Sequence, residues 1–571
     1  PHSMHVGMNS LTIEDTTHGL RVEVSYFTLP ETRLAALGRT VTVTNVTDAP
    51  VSFDMLDGLP ALLPYGLNMY FVKEMTQTAK AWLQAEHEGP LTFYAPRASM
   101  EDTSDVSQVA GVNFAAAITS RGEALPVFVD PRHVFAYDTA LGQPVGFAQR
   151  PYAQWAAESE VQANILPACF CGRQVTLAPG ESCSHDLVIG QGESRERVRS
   201  LCRTLLTPDA LRYKQRRAAA MTQELTRPIH CRTADPVFDQ YCRQTYLDNL
   251  LRGGTPVTLP GGKVVYLYSR KHGDPERDYN AFRMRPEYYS QGNGNFRDVN
   301  QNRRCDVLFT PQVGRRNIHM FYSLMQADGY NPLVVEYVQY TLPQEAREAL
   351  LALVESPREA AEALFARPFT PGMLRMAAED WQLSVSVEDF FARVLQAARE
   401  GVAATFGEGY WTDHWTYDLD QIEAFSSVFP EEEEDMLYDD ATYTWYRSPE
   451  GVLPRAQRYV VTERGVRQYR HLHPLPEGPA ALCGPDGQTM TATLMEKLIT
   501  LLAVKTSTLD GYGMGVEMEA GKPGWYDALN GLPGLLGSSM PETLELARTL
   551  EYVIARSAKY GRSVEVMAEV A

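Results

Sequence analysis

Near residue 192 the hydrophobic pattern changes from one period to another, and a chain with such a break has to fold as at least two differently built parts. Before it, RVEVSYFTL, RTVTVTNVTDAPVSF and QVTLAPGESCSHDLVIG alternate or run in β-branched residues, punctuated by Asp-Ala-Pro and Pro-Gly turns. Strands at such short spacing predict a β-sandwich over 1–192. From Glu193 the chain is rich in Arg, Leu and Ala with no strand signal, which predicts a helical linker over 193–234. Most of 235–571 is expected to be helical. NIHMFYSLMQADGY, LPQEAREALLALVE and VEDFFARVLQAAREGVAATF have helical composition, and Thr493–Val504 and Glu542–Ile554 repeat it. TPVTLPGGKVVYLYS reads as a hairpin turning on Gly261-Gly262. The poorly periodic 428–487, with its acidic run Glu431–Asp435, reads as a solvated insertion.

One stretch of the helical half obeys neither period. Residues 268–306 carry Tyr268, Tyr279, Tyr288 and Tyr289 among closely interleaved Arg, Asp, Asn and Gln, with almost no aliphatic run. A disordered linker would lack the aromatics. A folded segment of this kind must pair its polar groups, and planar amides and carboxylates beside aromatic faces match the hydroxyls and C–H face of a sugar. The plainer alternative is a salt-bridged surface loop.

Two further polar stretches lie in this half. Gly409–Asp420, GYWTDHWTYDLD, interleaves Trp411, Trp415 and Tyr417 with Asp413, His414 and Asp418. Val516–Gly537 sets Trp525 and Asp527 among glycines. A carboxyl held against an apolar ring loses solvation, which raises its pKa and suits it to general-acid work. The plainer reading of Asp527 is a helix cap after a glycine-rich turn.

Charge and cysteine usage exclude other classes. With 52 basic and 71 acidic side chains the net charge of -19 argues against nucleic acid or an anionic membrane as the main partner. No apolar run reaches the length of a membrane span. Eight Cys in 571 residues make no disulfide framework and show no paired zinc-finger spacing, so free thiols, a cytoplasmic location and no bound metal are expected.

Phe296-Arg297-Asp298-Val299-Asn300-Gln301 resembles the FRDxxQD motif of the cellobiose phosphorylase family, and Gly524-Trp525-Tyr526-Asp527-Ala528-Leu529-Asn530-Gly531 resembles that family's GDWNDGxN motif. The order of β-sandwich, helical linker and (α/α)6-type barrel, here over 235–571, is also the family's. The resemblance implies an inverting glycoside phosphorylase acting on a β-linked glucoside or related oligosaccharide, with Asp527 as general acid. It implies Arg297 and Asp298 as the donor-sugar clamp and Trp525 as part of the donor platform. Gln301 falls within the first motif, and Trp411, Asp413, His414 and Trp415 are further candidate sugar-binding residues. The resemblance implies inorganic phosphate as the co-substrate, and no other cofactor is expected. A homodimer is left open.

Two departures accompany the resemblance. The last Asp of the first motif is Asn302 here. The family's phosphate-binding His has no counterpart that can be placed, so the barrel is expected to be incomplete in this chain or completed differently. Arg270, Lys271, His272, Arg303 and Arg304 are candidate phosphate ligands, several of them within reach of Asp274, Glu276 and Asp278. An inverting hydrolase would instead need a second carboxylate about 6.5–9.5 Å from the acid, for which Asp413, Glu517 and Glu519 are the candidates. A non-catalytic sugar-binding protein is the third reading.

Overall fold

The computed structural model describes residues 2–67, 69–100, 104–267, 287–406, 414–468, 472–517 and 538–571. They form two compact units, Pro1–Leu247 and Asp248–Ala571. The whole is mixed β and α.

The first unit is built on strands β1 (His2–Val6), β2 (Leu11–Thr17), β3 (Leu20–Thr28), β4 (Ala35–Asn45), β5 (Val51–Leu59), β6 (Leu83–Glu88), β7 (Leu91–Pro96), β8 (Val112–Thr119), β9 (Ala124–Leu125), β10 (Val127–Phe128), β11 (Cys169–Leu177) and β12 (Ser182–Gly192). A large antiparallel sheet runs β1-β2-β3-β4-β12-β8-β7-β6 with β9 on β8, and a three-stranded sheet runs β10-β11-β5. Side chains alternate between faces along each strand. Leu187 therefore packs with Tyr94, Ala117, Cys169 and Cys171 against the smaller sheet. Its neighbour Val188 joins Phe27, Phe93 and Phe114 on the other face. Two helices cover that second face, Arg195–Leu205 and Pro208–Leu225, burying Val198, Cys202, Leu205 and Leu211 there. Each starts on a hydroxyl cap: Ser194 accepts from the Arg197 amide, and Thr207 from that of Ala210. The sequon Asn45-Val46-Thr47 is a turn device, since buried Asn45 donates to the Ala49 and Leu177 carbonyls at 2.7 and 3.1 Å. All eight thiols are free, three of them buried and Cys305 exposed.

In the second unit the hairpin forms as expected: Thr255–Thr258 pairs with Val264–Leu267, and Gly261 and Gly262 take φ of 91° and 82°. Helices occupy Gln344–Leu351, Arg358–Phe365, Pro371–Asp380 and Val387–Ala397, sharing a core of Leu351, Phe365, Leu374, Phe390 and Leu395. The helical expectation for REGVAATF is corrected. Arg399–Thr405 is a strand paired with Val334–Thr341. Gly401 weakens helix there, and in the strand Val402 and Ala404 pack against the core around Phe296 and Phe321.

Within the acidic run Glu431, Glu432 and Asp435 are exposed, as a solvated segment requires, and the correction concerns Glu433 and the residues that follow it. Met436 and Leu437 are fully buried, and Glu433 is enclosed among four donors from the helix Met540–Tyr560. Arg556, Lys559, Tyr560 and Tyr552 reach its oxygens at 2.8, 2.9, 2.6 and 3.3 Å. Burial opposes its charge, yet the hydrogen bonds from Tyr560, Lys559 and Arg556 prevail and depress its pKa to about 2. A depressed carboxylate stabilises the fold above its unfolded pKa near 4.5, and that support is lost as pH falls through about 2. Glu433→Gln is expected to cost about 1–3 kcal/mol at neutral pH, allowing for the solvent access of Lys559. In thermal melts the gap between the two proteins should close as pH drops from 4.5 toward 2, and a gap unchanged across that window would refute the assignment.

Candidate functional site

The motif stretch folds so as to bury itself. Gly294–Asn295 pairs with Val334–Val335, and the Phe296 amide bonds to the Leu333 carbonyl, which anchors the start of a helix over Phe296–Arg303. Asn295 caps it by accepting from the Arg297 amide at 3.1 Å. A Cβ on Gly294 would lie 2.2 Å from Val299 Cγ2, so only glycine lets strand and helix approach this closely. Phe296 and Val299 enter the apolar core. The polar residues of the helix are buried as well: Arg297, Asp298, Asn300 and Arg303 all have 6% exposure or less.

Ionised side chains are seldom enclosed unless paired, and a concentration of them marks a site as often as a structural network. Arg297 Nη2 donates to Asp298 Oδ1 at 3.2 Å. His414 opens a short helical turn, His414–Tyr417, and its ring stacks on Phe296 at 6.0 Å and 9°. Burial holds its pKa well below the ordinary value, helped by the charges of Arg297 and Lys505, so the imidazole is neutral. One turn along, Asn300 Nδ2 donates to Asp418 Oδ1, and Gln421 Nε2 donates to the Asn300 carbonyl and Oδ1 at 3.1 and 2.9 Å. Burial pushes Asp418 well above the usual carboxylate range, against the Asn300 hydrogen bond. Asp418 is thus held against ionisation by its burial while Arg297 and Asp298 form an ion pair, and a neutral His414 lies close by.

A second buried group adjoins these residues. Glu542 Oε1 accepts from Trp415 Nε1 at 3.0 Å and from Lys505 Nζ at 3.3 Å. Trp415 is itself enclosed in the core with Leu419, Leu498 and Leu546. Gln301 is half-buried on the same helix, and Glu517 is buried at the short strand Val516–Glu517. The departing Asn302 turns back on its own helix, donating to the Asp298 carbonyl at 2.6 Å. Arg303 lies 3.6 Å over the Tyr266 ring and donates to the Gly253 carbonyl, while Arg304 pairs with Asp420 at 3.4 Å. Trp411, Asp413, Glu519, Trp525 and Asp527, with Arg270, Lys271 and His272, lie outside the described residues.

Gln421, Lys505 and Glu542 were not singled out by sequence, and Asn300 and Asp418 stood in the quoted stretches without a role. For Lys505 a signal existed. It falls on the apolar stripe of Leu494, Leu498 and Leu501, where a surface helix would place no charge.

Asp306 follows the motif helix. Its carboxyl is enclosed although the residue is only half-buried, and Oδ2 has no hydrogen bond among the described residues. Burial pushes its pKa up to about 7, against the Arg303 charge and a Tyr266 hydrogen bond. A raised carboxyl favours the fold fully below its unfolded pKa near 3.8, and this is lost as pH rises through about 7. The loss is roughly 4 kcal/mol. Asp306→Asn is expected to flatten the fall in melting temperature between pH 4 and 7.5; a profile parallel to wild type would exclude this group as its source.

No protein-family model and no curated protein matches the sequence. Among solved structures, parts of the chain align with a polysaccharide lyase at TM-score 0.18 and 13% identity, over 33% of this chain and 22% of that one. A protein provisionally described as a kojibiose phosphorylase from the human microbiome aligns at 0.17 and 6%, over 44% and 24%. One provisionally described as an aldose 1-epimerase from Klebsiella pneumoniae aligns at 0.17 and 11%, over 37% and 58%. The chain spans less than two thirds of each, and overlaps at these scores carry no argument about chemistry.

Proposed function

We propose that the second unit is a carbohydrate-active catalytic domain, an (α/α)6-type barrel performing inverting phosphorolysis of a β-linked glucoside. The observation that carries this reading is the burial of the Phe296–Arg303 helix with its Arg297–Asp298 pair and the neutral His414 beside it. Arg offers five donors in a rigid fork and Asp accepts from hydroxyls, a combination suited to holding a sugar ring. The motif containing Asp527 supplies the acid. In the step itself a phosphate oxygen attacks the anomeric carbon, the glycosidic C–O bond breaks, and Asp527 passes its proton to the departing oxygen. The products are an α-sugar 1-phosphate and the free acceptor, and one catalytic carboxyl suffices because phosphate replaces a base-activated water.

The test is incubation of the full chain with β-linked disaccharides, with and without inorganic phosphate. A sugar 1-phosphate formed only with phosphate is the expected result. Free sugar released at the same rate without phosphate would replace the reading with an inverting hydrolase. Sugar binding without turnover in either condition would leave a binding protein.

A further inference from the structure

The first unit contains a polar group that the proposed chemistry does not use. Asp57 on β5 and Cys171 on β11 are direct partners in the register of the three-stranded sheet. His185 on β12 belongs to the large sheet and shares a face with Leu187, which packs against Cys171. Alternation along three strands thus brings a carboxylate, a thiol and an imidazole into the layer between the sheets. Donor atoms of the three lie within 4.8 Å of one another, and all three residues are buried.

Hydrogen bonding accounts for only part of this group. Arg39 Nε donates to Asp57 Oδ1 and Oδ2 at 3.0 and 3.2 Å, and His185 Nε2 lies 3.2 Å from Asp57 Oδ2. The other ring nitrogen, His185 Nδ1, has no hydrogen bond among the described residues although the residue is 1% exposed. A buried polar atom is ordinarily satisfied, and one left over on a ring grouped with a thiol and a carboxylate calls for a further partner.

We propose that Asp57, Cys171 and His185 form a transition-metal site of the Zn2+ class that ties the two sheets together. Thiolate and imidazole select Zn2+ over Mg2+ or Ca2+, which take oxygen ligands. The ion would bind the Cys171 sulfur, a His185 nitrogen and an Asp57 oxygen, leaving one tetrahedral position for water. Zn–S bonds near 2.3 Å and Zn–N bonds near 2.0 Å require the three donors to draw together slightly. The Cys171 thiol gives up its proton to solvent as the metal–sulfur bond forms. Two anionic ligands offset the divalent charge, and Arg39 orients the carboxylate from outside, as second-layer partners of metal ligands do.

The experiment measures metal in the purified full-length chain, then titrates the chelator-treated protein with Co2+ and follows the thiolate-to-cobalt charge-transfer band. One equivalent should bind with that band. Cys171→Ser should abolish it, and His185→Gln should weaken binding by more than the roughly 10–100-fold seen for outer partners of a site. A second measurement needs no variant: during a brief urea pulse that exposes the buried thiol, Zn2+ should protect Cys171, identified by peptide mass, from alkylation. Absence of both stoichiometric metal and protection, or a band that survives Cys171→Ser, would overturn the site and leave Arg39, Asp57 and His185 as a hydrogen-bonded network.

Discussion

Asp527→Asn is expected to lower turnover about 10²- to 10⁴-fold while sugar affinity changes little, the range a positioned general acid contributes. The amide keeps the shape of the carboxyl and can still hydrogen-bond, but it has no proton to give to a departing glycosidic oxygen. The loss should therefore depend on the leaving group. A natural sugar acceptor leaves as a strong base and needs the proton; an activated aryl leaving group needs it much less. A variant slow on disaccharides yet close to wild type on an aryl glycoside is the signature of a missing acid. Equal losses on both would point to a structural part for Asp527. Wild-type turnover on disaccharides would remove it from the reaction.

Glu542→Ala should destabilise the second unit by about 3–5 kcal/mol, the cost of breaking a buried ion pair from one side. Lys505 and Glu542 are 6% and 1% exposed, and Glu542 also accepts the Trp415 indole proton. Alanine would leave an ammonium enclosed in the unit's core, beside the Trp415 and Tyr330 rings at 5.1 and 5.5 Å. Two companion variants identify the cause. Glu542→Gln retains an acceptor for Trp415 and removes the charge, so the excess loss in Glu542→Ala over it measures packing and the indole bond. Removing both charges, with Lys505→Met and Glu542→Leu together, should recover most of the stability, since apolar replacement of a buried pair is often neutral or better. Urea unfolding followed by tryptophan fluorescence reads all three. A double variant as unstable as Glu542→Ala would show that the Lys505 charge left behind is not the source.

Several features could be read locally. Gly261-Gly262 between two β-branched runs announced the hairpin, and the helix Leu494–Ser507 follows from its apolar stripe behind a Thr493 cap. The polar stretch without a period was expected to be folded and internally paired, and its described part, from Glu287 to Asp306, contains the buried helix Phe296–Arg303. The strand Arg399–Thr405 could not be read this way. Its composition continues the preceding helix, and only the presence of Val334–Thr341 alongside makes extended backbone the better use of those residues.

Periodicity, caps and turn residues act over a few positions, so they specify elements, and here they were sufficient for most of them. Charge state and partnership act through space. His414 is neutral because the fold removes its water and sets Arg297 and Lys505 near it, and those residues are more than a hundred positions apart in the sequence on one side and ninety on the other. Asp418 is raised by the same desolvation, and Glu433 is depressed because a helix beginning at Met540 brings it two cations and two hydroxyls. Asp57, Cys171 and His185 carry no spacing that suggests a common site. Strand register makes the first two neighbours, and the packing of one sheet on another supplies the third, because side chains on facing sheets meet at positions that no linear pattern encodes.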